Sequence, residues 1–377
     1  MEQTQVSSSK MAVILAMFIA SEFMVTYGNV NAGRDTWFAL LLTVLGTLFL
    51  ALLYYFLLTI IPQGDLFIAL DQAFGKILGK LLIILYIAYG LIVATISFYQ
   101  FNSFIRILSF GNTPYLFIAL IVLTVLYFLL RSGLKAIIQL FVIIFPVFMA
   151  MLILSFLLLY PEYQFSNFLP LLKTPLKQIA KSSLSFGVVS FGDAILLTGL
   201  GVIVVPKLTY RKVFGRGIIG GGLMYLLAVL MHLLVFDAPL TDLLVFPTYS
   251  AIALIDVAQF ITRIQVLLSS VFINAVLLKV LIGLEFALEG LKNLFPKGSK
   301  KFFYVWVLLV ILGLSYLLFP NFEALRIFKE KYAWFKIVWQ VGIPLLLLIV
   351  LIIRKVVFKK EFTDPSAEGK RPQVISR

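Results

Sequence analysis

Ten apolar runs, each long enough to cross a lipid bilayer, limit this chain to very few folds. They lie at about 11–31, 37–61, 81–105, 114–130, 136–160, 184–206, 217–237, 256–284, 303–319 and 335–353. About 20 apolar residues in a helix cross a hydrocarbon core about 30 Å thick. Hydrocarbon offers the backbone no hydrogen-bond partner, so runs of this length fold as a bundle of helices. The composition agrees: 62% of the 377 residues are hydrophobic and 13% are charged, more apolar surface than one soluble core can bury.

Charge then orients the bundle. A net charge of +14 would suggest a nucleic acid partner for a soluble domain, but here Lys and Arg cluster between the apolar runs, as topology signals do. The bilayer is therefore an expected partner and nucleic acid is not. With the N-terminus inside, 20 Lys and Arg fall on inner segments and 9 on outer ones, which predicts a multi-pass protein with both termini in the cytoplasm. Lys10 is the one cation before the first run and no small-residue cleavage site precedes it, so that run is read as a retained helix. Residues 1–360 are expected to form one ten-helix domain. Residues 361–377, rich in Lys, Ser, Pro and Gly, are read as a disordered cytoplasmic tail.

The sixth run is interrupted. Ser185-Phe186-Gly187 and Ser190-Phe191-Gly192-Asp193 lie inside it, and a carboxylate about nine residues in sits roughly 13 Å deep. Glycines lower the cost of unwinding there, and unwound backbone could face a ligand, as in the broken helices of transporters. A helix kinked for packing, with Asp193 in a water pocket, is the other reading. Five spans per half is an odd number, so a second half would lie inverted on the first, making the first and sixth runs equivalent. The first run carries Glu22 and ends in Tyr27-Gly28-Asn29, so both are polar where lipid forbids it.

Other buried polar groups follow helical periodicity. Asp256, Gln259, Arg263, Ser270 and Asn274 fall at offsets 0, 3, 7, 14 and 18 on the eighth run, one face of a helix. Tyr86, Tyr89, Ser97 and Gln100 make a weaker stripe on the third. Arg263 can serve a structural ion pair or a ligand carboxylate. Glu22, Asp193 and Arg263 all project to the middle third of the core. Two carboxylates and one guanidinium leave a negative charge, so one carboxylate, Glu22, is expected to bridge to Arg263, and Asp193 to receive a cationic ligand group. The expected ligand contacts are Gly28, Gly187, Ser190, Gly192, Asp193, Tyr89, Ser97 and Ser270.

Several features are set aside. His232 is the only histidine and there is no cysteine, so no metal or cofactor is expected. Gly215 to Gly222 follows no strand and precedes no Gly-Lys-Ser/Thr, so it reads as a close-packing surface, not a nucleotide loop. No nucleophile elbow or His/Glu pair is found, and the chain is not expected to be an enzyme.

Motifs spread along the chain carry a resemblance. They are Ala32-Gly33-Arg34-Asp35-Thr36-Trp37, Asn112-Thr113-Pro114, Arg131-Ser132-Gly133-Leu134, Asn167-Phe168-Leu169-Pro170, Phe191-Gly192-Asp193 and Phe319-Pro320-Asn321. In order and spacing the chain resembles the endospore germination permeases, the membrane B subunits of nutrient germinant receptors in the amino acid–polyamine–organocation superfamily. It departs from them at Thr262-Arg263-Ile264-Gln265, where the family has Glu-Arg-x-Glu, at Asp193, where it has Glu, and at Glu22, where it has small residues. The resemblance implies an all-α membrane fold with ten helices in two inverted five-helix repeats, helices one and six being broken. It also implies the inner membrane of a spore, receptor A and C subunits as partners, and a small nutrient ligand, often an amino acid. A proton- or sodium-coupled amino acid transporter is the alternative function.

Overall fold

The computed structural model describes residues 4–25, 32–60, 65–200, 202–204, 210–255 and 264–357. Among these, nine helices are long and apolar enough to cross a membrane. The first expected run, 11–31, is described as far as Val25, as helix α1 (Ser8–Val25). The others follow as α2 (Thr36–Ile60), α3 (Leu66–Ser109), α4 (Tyr115–Ser132), α5 (Leu134–Leu158), α6 (Leu176–Phe186), α7 (Tyr210–Leu243), the short α8 (Pro247–Ile252), α9 (Ile264–Leu294), α10 (Lys300–Leu318), α11 (Phe322–Ile337) and α12 (Ile343–Val357). Two three-residue strands, β1 (Thr4–Val6) and β2 (Val202–Val204), pair in parallel. This joins the start of the first span to the end of the sixth on one side of the bundle, as an even number of intervening crossings requires.

Which helices lie inside follows from their apolar faces. In α1, the residues from Ile14 to Phe23 are buried almost completely, so this helix, apolar all round, forms the axis of the fold. It packs on α7 and α9, and α9 packs along α3. By contrast α2, α4, α5 and α10 turn large side chains outward, among them Phe49, Phe117, Ile143 and Leu309, as lipid-facing helices do.

Small residues permit the central contacts. A Cβ on Gly283 of α9 would lie 2.8 Å from the Gly90 carbonyl of α3, so the two backbones meet with nothing between them. The glycine-rich start of α7 works likewise, since a Cβ on Gly221 would lie 2.9 Å from the Ala16 carbonyl of α1. His232, also on α7, is fully buried, with Nε2 2.9 Å from the Thr248 hydroxyl. That hydroxyl donates its own proton to the Phe23 carbonyl at 2.7 Å, which makes the imidazole the donor to Thr248.

Two of the sequence motifs meet in space. Asp35, just before α2, is 1% exposed, and its carboxylate accepts the backbone N–H groups of Leu172 at 2.7 Å and Thr174 at 2.9 Å. The Thr174 hydroxyl donates to the Ala32 carbonyl at 2.9 Å, and the Arg34 guanidinium donates to that of Leu169. Gly33 takes φ +52 to begin this clip, a left-handed conformation that favours glycine. Asp35→Ala removes the acceptor of two part-buried N–H groups and is expected to destabilise the fold by about 1 kcal/mol. Thermal unfolding of the purified protein measures this, and an unchanged midpoint would rule out the clip.

The tenth span begins earlier than the sequence reading has it. The reading starts it at about 335 and counts the cations from Arg326 to Lys336 as an outer loop. In the structure α11 already runs from Phe322, capped by the Asn321 side chain accepting from the Ala324 N–H at 2.8 Å. Its charged residues interrupt the apolar pattern, yet it forms the first part of the span Phe322–Lys355.

Candidate functional site

The sixth span changes pitch at the expected point. After α6, a π turn covers Gly187–Phe191 and a 3-10 stretch covers Gly192–Gly199. The expected break is thus a re-pitching and not an unwound strand: Gly187 (φ −55, ψ −50) and Gly192 (φ −67, ψ −23) keep helical dihedrals. The change still diverts backbone carbonyls to other partners. That of Val188 accepts from Gln340 Nε2 at 2.9 Å and that of Val189 from Lys336 Nζ at 3.3 Å.

A second π turn, Val338–Gly342, lies opposite, between α11 and α12. Its local cause is Pro344, which has no N–H to give the Gln340 carbonyl four residues back. That carbonyl accepts instead from the Tyr54 hydroxyl at 2.8 Å, and the Trp339 carbonyl accepts from Tyr86 at 2.9 Å. Each irregular turn is therefore completed by side chains from other helices, and the two turns hold each other.

A buried charge network lies beside them. Glu22 of α1 accepts from Lys279 of α9 at 2.6 Å and from Lys329 of α11 at 2.9 Å. Asp193 accepts from Lys336 at 2.8 Å and Lys279 at 3.2 Å. The Tyr89 hydroxyl donates to Asp193 Oδ1 at 2.5 Å and Gln340 Nε2 donates to the same atom at 3.0 Å. The carboxylates, Lys279 and Lys336 are at most 5% exposed, and Lys279 also lies 5.1 Å from the centre of the Phe18 ring. In so dry a place each ion depends on its partners, because losing one strands the other without water.

The sequence-predicted residues divide accordingly. Glu22, Asp193 and Tyr89 come together, Ser97 faces the same cavity, and Ser190 is buried nearby. Gly187 and Gly192 begin the two irregular turns. Gly28 and Arg263 lie outside the described residues, as do Asp256 and Gln259. Ser270 is corrected: it is exposed, its hydroxyl turned back on the Leu267 carbonyl at 2.7 Å, while Ser269 is buried at 2%. One residue is 100° of helix rotation, so Ser270 and Ser269 point to different faces.

Sequence reasoning overlooked Lys279, Lys329, Lys336 and Gln340. Lys279, at the apolar middle of the span Gln265–Leu294, was a signal, since intramembrane cations mark functional interiors. Lys329 and Lys336 are seven residues apart, one face of a helix. Among the described residues, three ammonium groups surround the two carboxylates.

Glu22, Ser97, Asp193, Lys279, Tyr332 and Lys336 are among the residues lining a cavity with room for about one water molecule. That space is smaller than any ligand of nutrient size.

Comparison with known proteins gives a consistent match. Residues 5–323 fit the model of a family described as Spore germination protein. Spore germination protein KB of Bacillus subtilis (strain 168) is 26% identical over 368 residues, covering 94% of this chain and 96% of that protein. Putative spore germination protein YfkT of the same strain is 22% identical over 278 residues, 74% of this chain and 76% of the relative.

Proposed function

The chain belongs to the spore germination protein family, and from that membership we propose that it is the membrane subunit of a nutrient germinant receptor. It binds a small nutrient, an amino acid on the sequence-level expectation, in the cavity between the first, third, sixth, eighth and tenth spans. It passes occupancy to receptor A and C subunits in the inner spore membrane. The observation that carries this reading is the buried network of Glu22, Asp193, Lys279, Lys329 and Lys336, of which Glu22, Asp193 and Lys279 lie within the family-matched residues 5–323. A network that only stabilised the bundle could be replaced by apolar side chains at little cost, and intramembrane charges are functional by default.

The arrangement is suited to signalling. The two π turns are joined directly through the Gln340 amide beside the cavity, and a ligand that displaces Lys336 from Asp193 shifts α11 against the sixth span. A receptor needs two packings of similar energy that a ligand can bias. An inverted repeat of two five-helix halves is consistent with the first and sixth spans meeting at Lys279 and with the pairing of β1 and β2. Cytoplasmic termini agree with the charge asymmetry, which sharpens once Lys329 and Lys336 leave the outer count because both enter the network.

Spores carrying the chain, with its partner subunits, as their one germinant receptor test the reading. They are expected to germinate in a dose-dependent way on one class of nutrient and to stay dormant when Lys336→Met replaces the parent. Membrane vesicles holding the chain are expected not to accumulate labelled amino acids under a pH gradient. Gradient-driven accumulation would replace the receptor with the coupled transporter.

A further inference from the structure

We infer that Glu285 of α9 is a proton-binding site, open to the water at the Leu294 end of that helix. Its place in the fold is the first reason. Glu285 is 4% exposed and lies about 13 Å along the helix from Leu294. Among the described residues, none gives its carboxyl group a hydrogen bond or an ion pair. Residues 285, 289 and 292 stand at offsets 0, 4 and 7, one face of the helix, so Lys292 is the natural partner. It donates instead to Glu289 at 2.6 Å. The side chains of Lys292 and Glu289 are 24% and 20% exposed, so water reaches the turn next to Glu285.

Electrostatics is the second reason. In an apolar interior a carboxylate with neither a hydrogen bond nor a counter-ion is costly, and the neutral acid is not. The charges that act on Glu285 are Lys292, already held by Glu289, and Glu289 itself, which opposes a second negative charge. From α10, the neutral Tyr304 phenol lies in electrostatic range. Among the described residues, α1, α3, α4 and α5, which also pack on α9, bring no further charge to it. An acid without partners adds nothing to packing that glutamine would not, and intramembrane acids are functional by default. On release, the carboxyl O–H bond breaks, its electron pair stays on Glu285, and the proton leaves past Glu289 to water. The new charge then competes with Glu289 for Lys292. Since α9 also carries Lys279, about 9 Å along the helix and bonded to Glu22 and Asp193, the proton acts on the helix that holds the central network. No nutrient and no partner subunit is needed for it.

Infrared spectra of the purified full chain in lipid nanodiscs, recorded across a pH series, test the site. A protonated-carboxyl C=O band is expected at neutral pH, lost as the pH rises and smaller by one group in Glu285→Gln. Glutamine copies the neutral acid, so this variant is expected to fold. Unfolding gives a second readout. Above about pH 4.3 the unfolded chain has released the proton that folded Glu285 keeps, so stability falls as pH rises toward neutral. Relative to Glu285→Gln, the parental folding constant is expected to drop by up to about tenfold per pH unit there. A neutral-pH band unchanged in Glu285→Gln, or no such band in the parent, overturns the site. So does an unfolding midpoint that sodium or potassium raises over N-methylglucamine in the parent alone, which puts a metal cation in place of the proton. Nutrient response is not read here, so the receptor reading survives each failure.

Discussion

Asp193→Asn is expected to leave only a small fraction of the parental amount of folded protein in the membrane. Its carboxylate takes hydrogen bonds from Tyr89 and Gln340 and ion pairs from Lys336 and Lys279. Asparagine keeps the shape but turns one oxygen into a donor, which then faces donors on every side. It also leaves the three ammonium groups with Glu22 alone. Breaking a buried pair from one side costs about 3–5 kcal/mol. The sequence-level argument expects Asp193→Asn to fold and lose its ligand, with Glu22→Gln as the poorly folding variant. The observed contacts alter that order, since Glu22 accepts from two lysines and Asp193 from two lysines and two neutral donors. Adding Lys336→Gln to Asp193→Asn removes one stranded cation and should recover part of the loss, about 0.5–3 kcal/mol of coupling. Immunoblots of membrane fractions from the single and double variants decide the matter. Parental abundance in Asp193→Asn would show that no such ion pair supports the fold.

The legible features were those set by local pattern. Apolar run length located nine spans among the described residues, the Gly215–Gly222 cluster announced the close crossing of α1 and α7, and Gly192-Asp193 marked the irregular sixth span. What local pattern cannot carry is the pairing of Glu22 with Lys279 and Lys329, residues 257 and 307 positions apart. Nothing in periodicity selects those partners; they are chosen by the way α1, α9 and α11 converge. Hydropathy also misled at α11, because lysines that bury their ammonium groups against carboxylates raise the polarity of a segment as much as lysines in water. The second π turn was readable in principle from Pro344, whose missing N–H frees the Gln340 carbonyl. The direction of the Gln340 side chain, toward Asp193 and Val188, depends on the neighbouring helix and was not readable.

That side chain makes Gly192 the second position where a small change has a large effect. Gly192→Ala places a Cβ in the space of the Gln340 amide, which donates to the Val188 carbonyl, to Asp193 and to the Tyr89 hydroxyl. The amide must leave, and with it goes the link between the two π turns. Overpacking of this kind costs about 1–3 kcal/mol, and each buried hydrogen bond lost adds about 1 kcal/mol. Reduced abundance and loss of nutrient response are therefore expected together, because the contact serves both packing and the coupling of α11 to the sixth span. Gln340→Ala is expected to be milder, since it opens space and leaves Asp193 with its lysines and Tyr89. The two changes combined should do better than Gly192→Ala alone, the Cβ then entering room that the shorter side chain has vacated. Abundance and dose response measured in all three variants separate steric conflict from a need for glycine as such. A double variant as impaired as Gly192→Ala would mean that the backbone at 192, and not the Gln340 amide, sets the requirement.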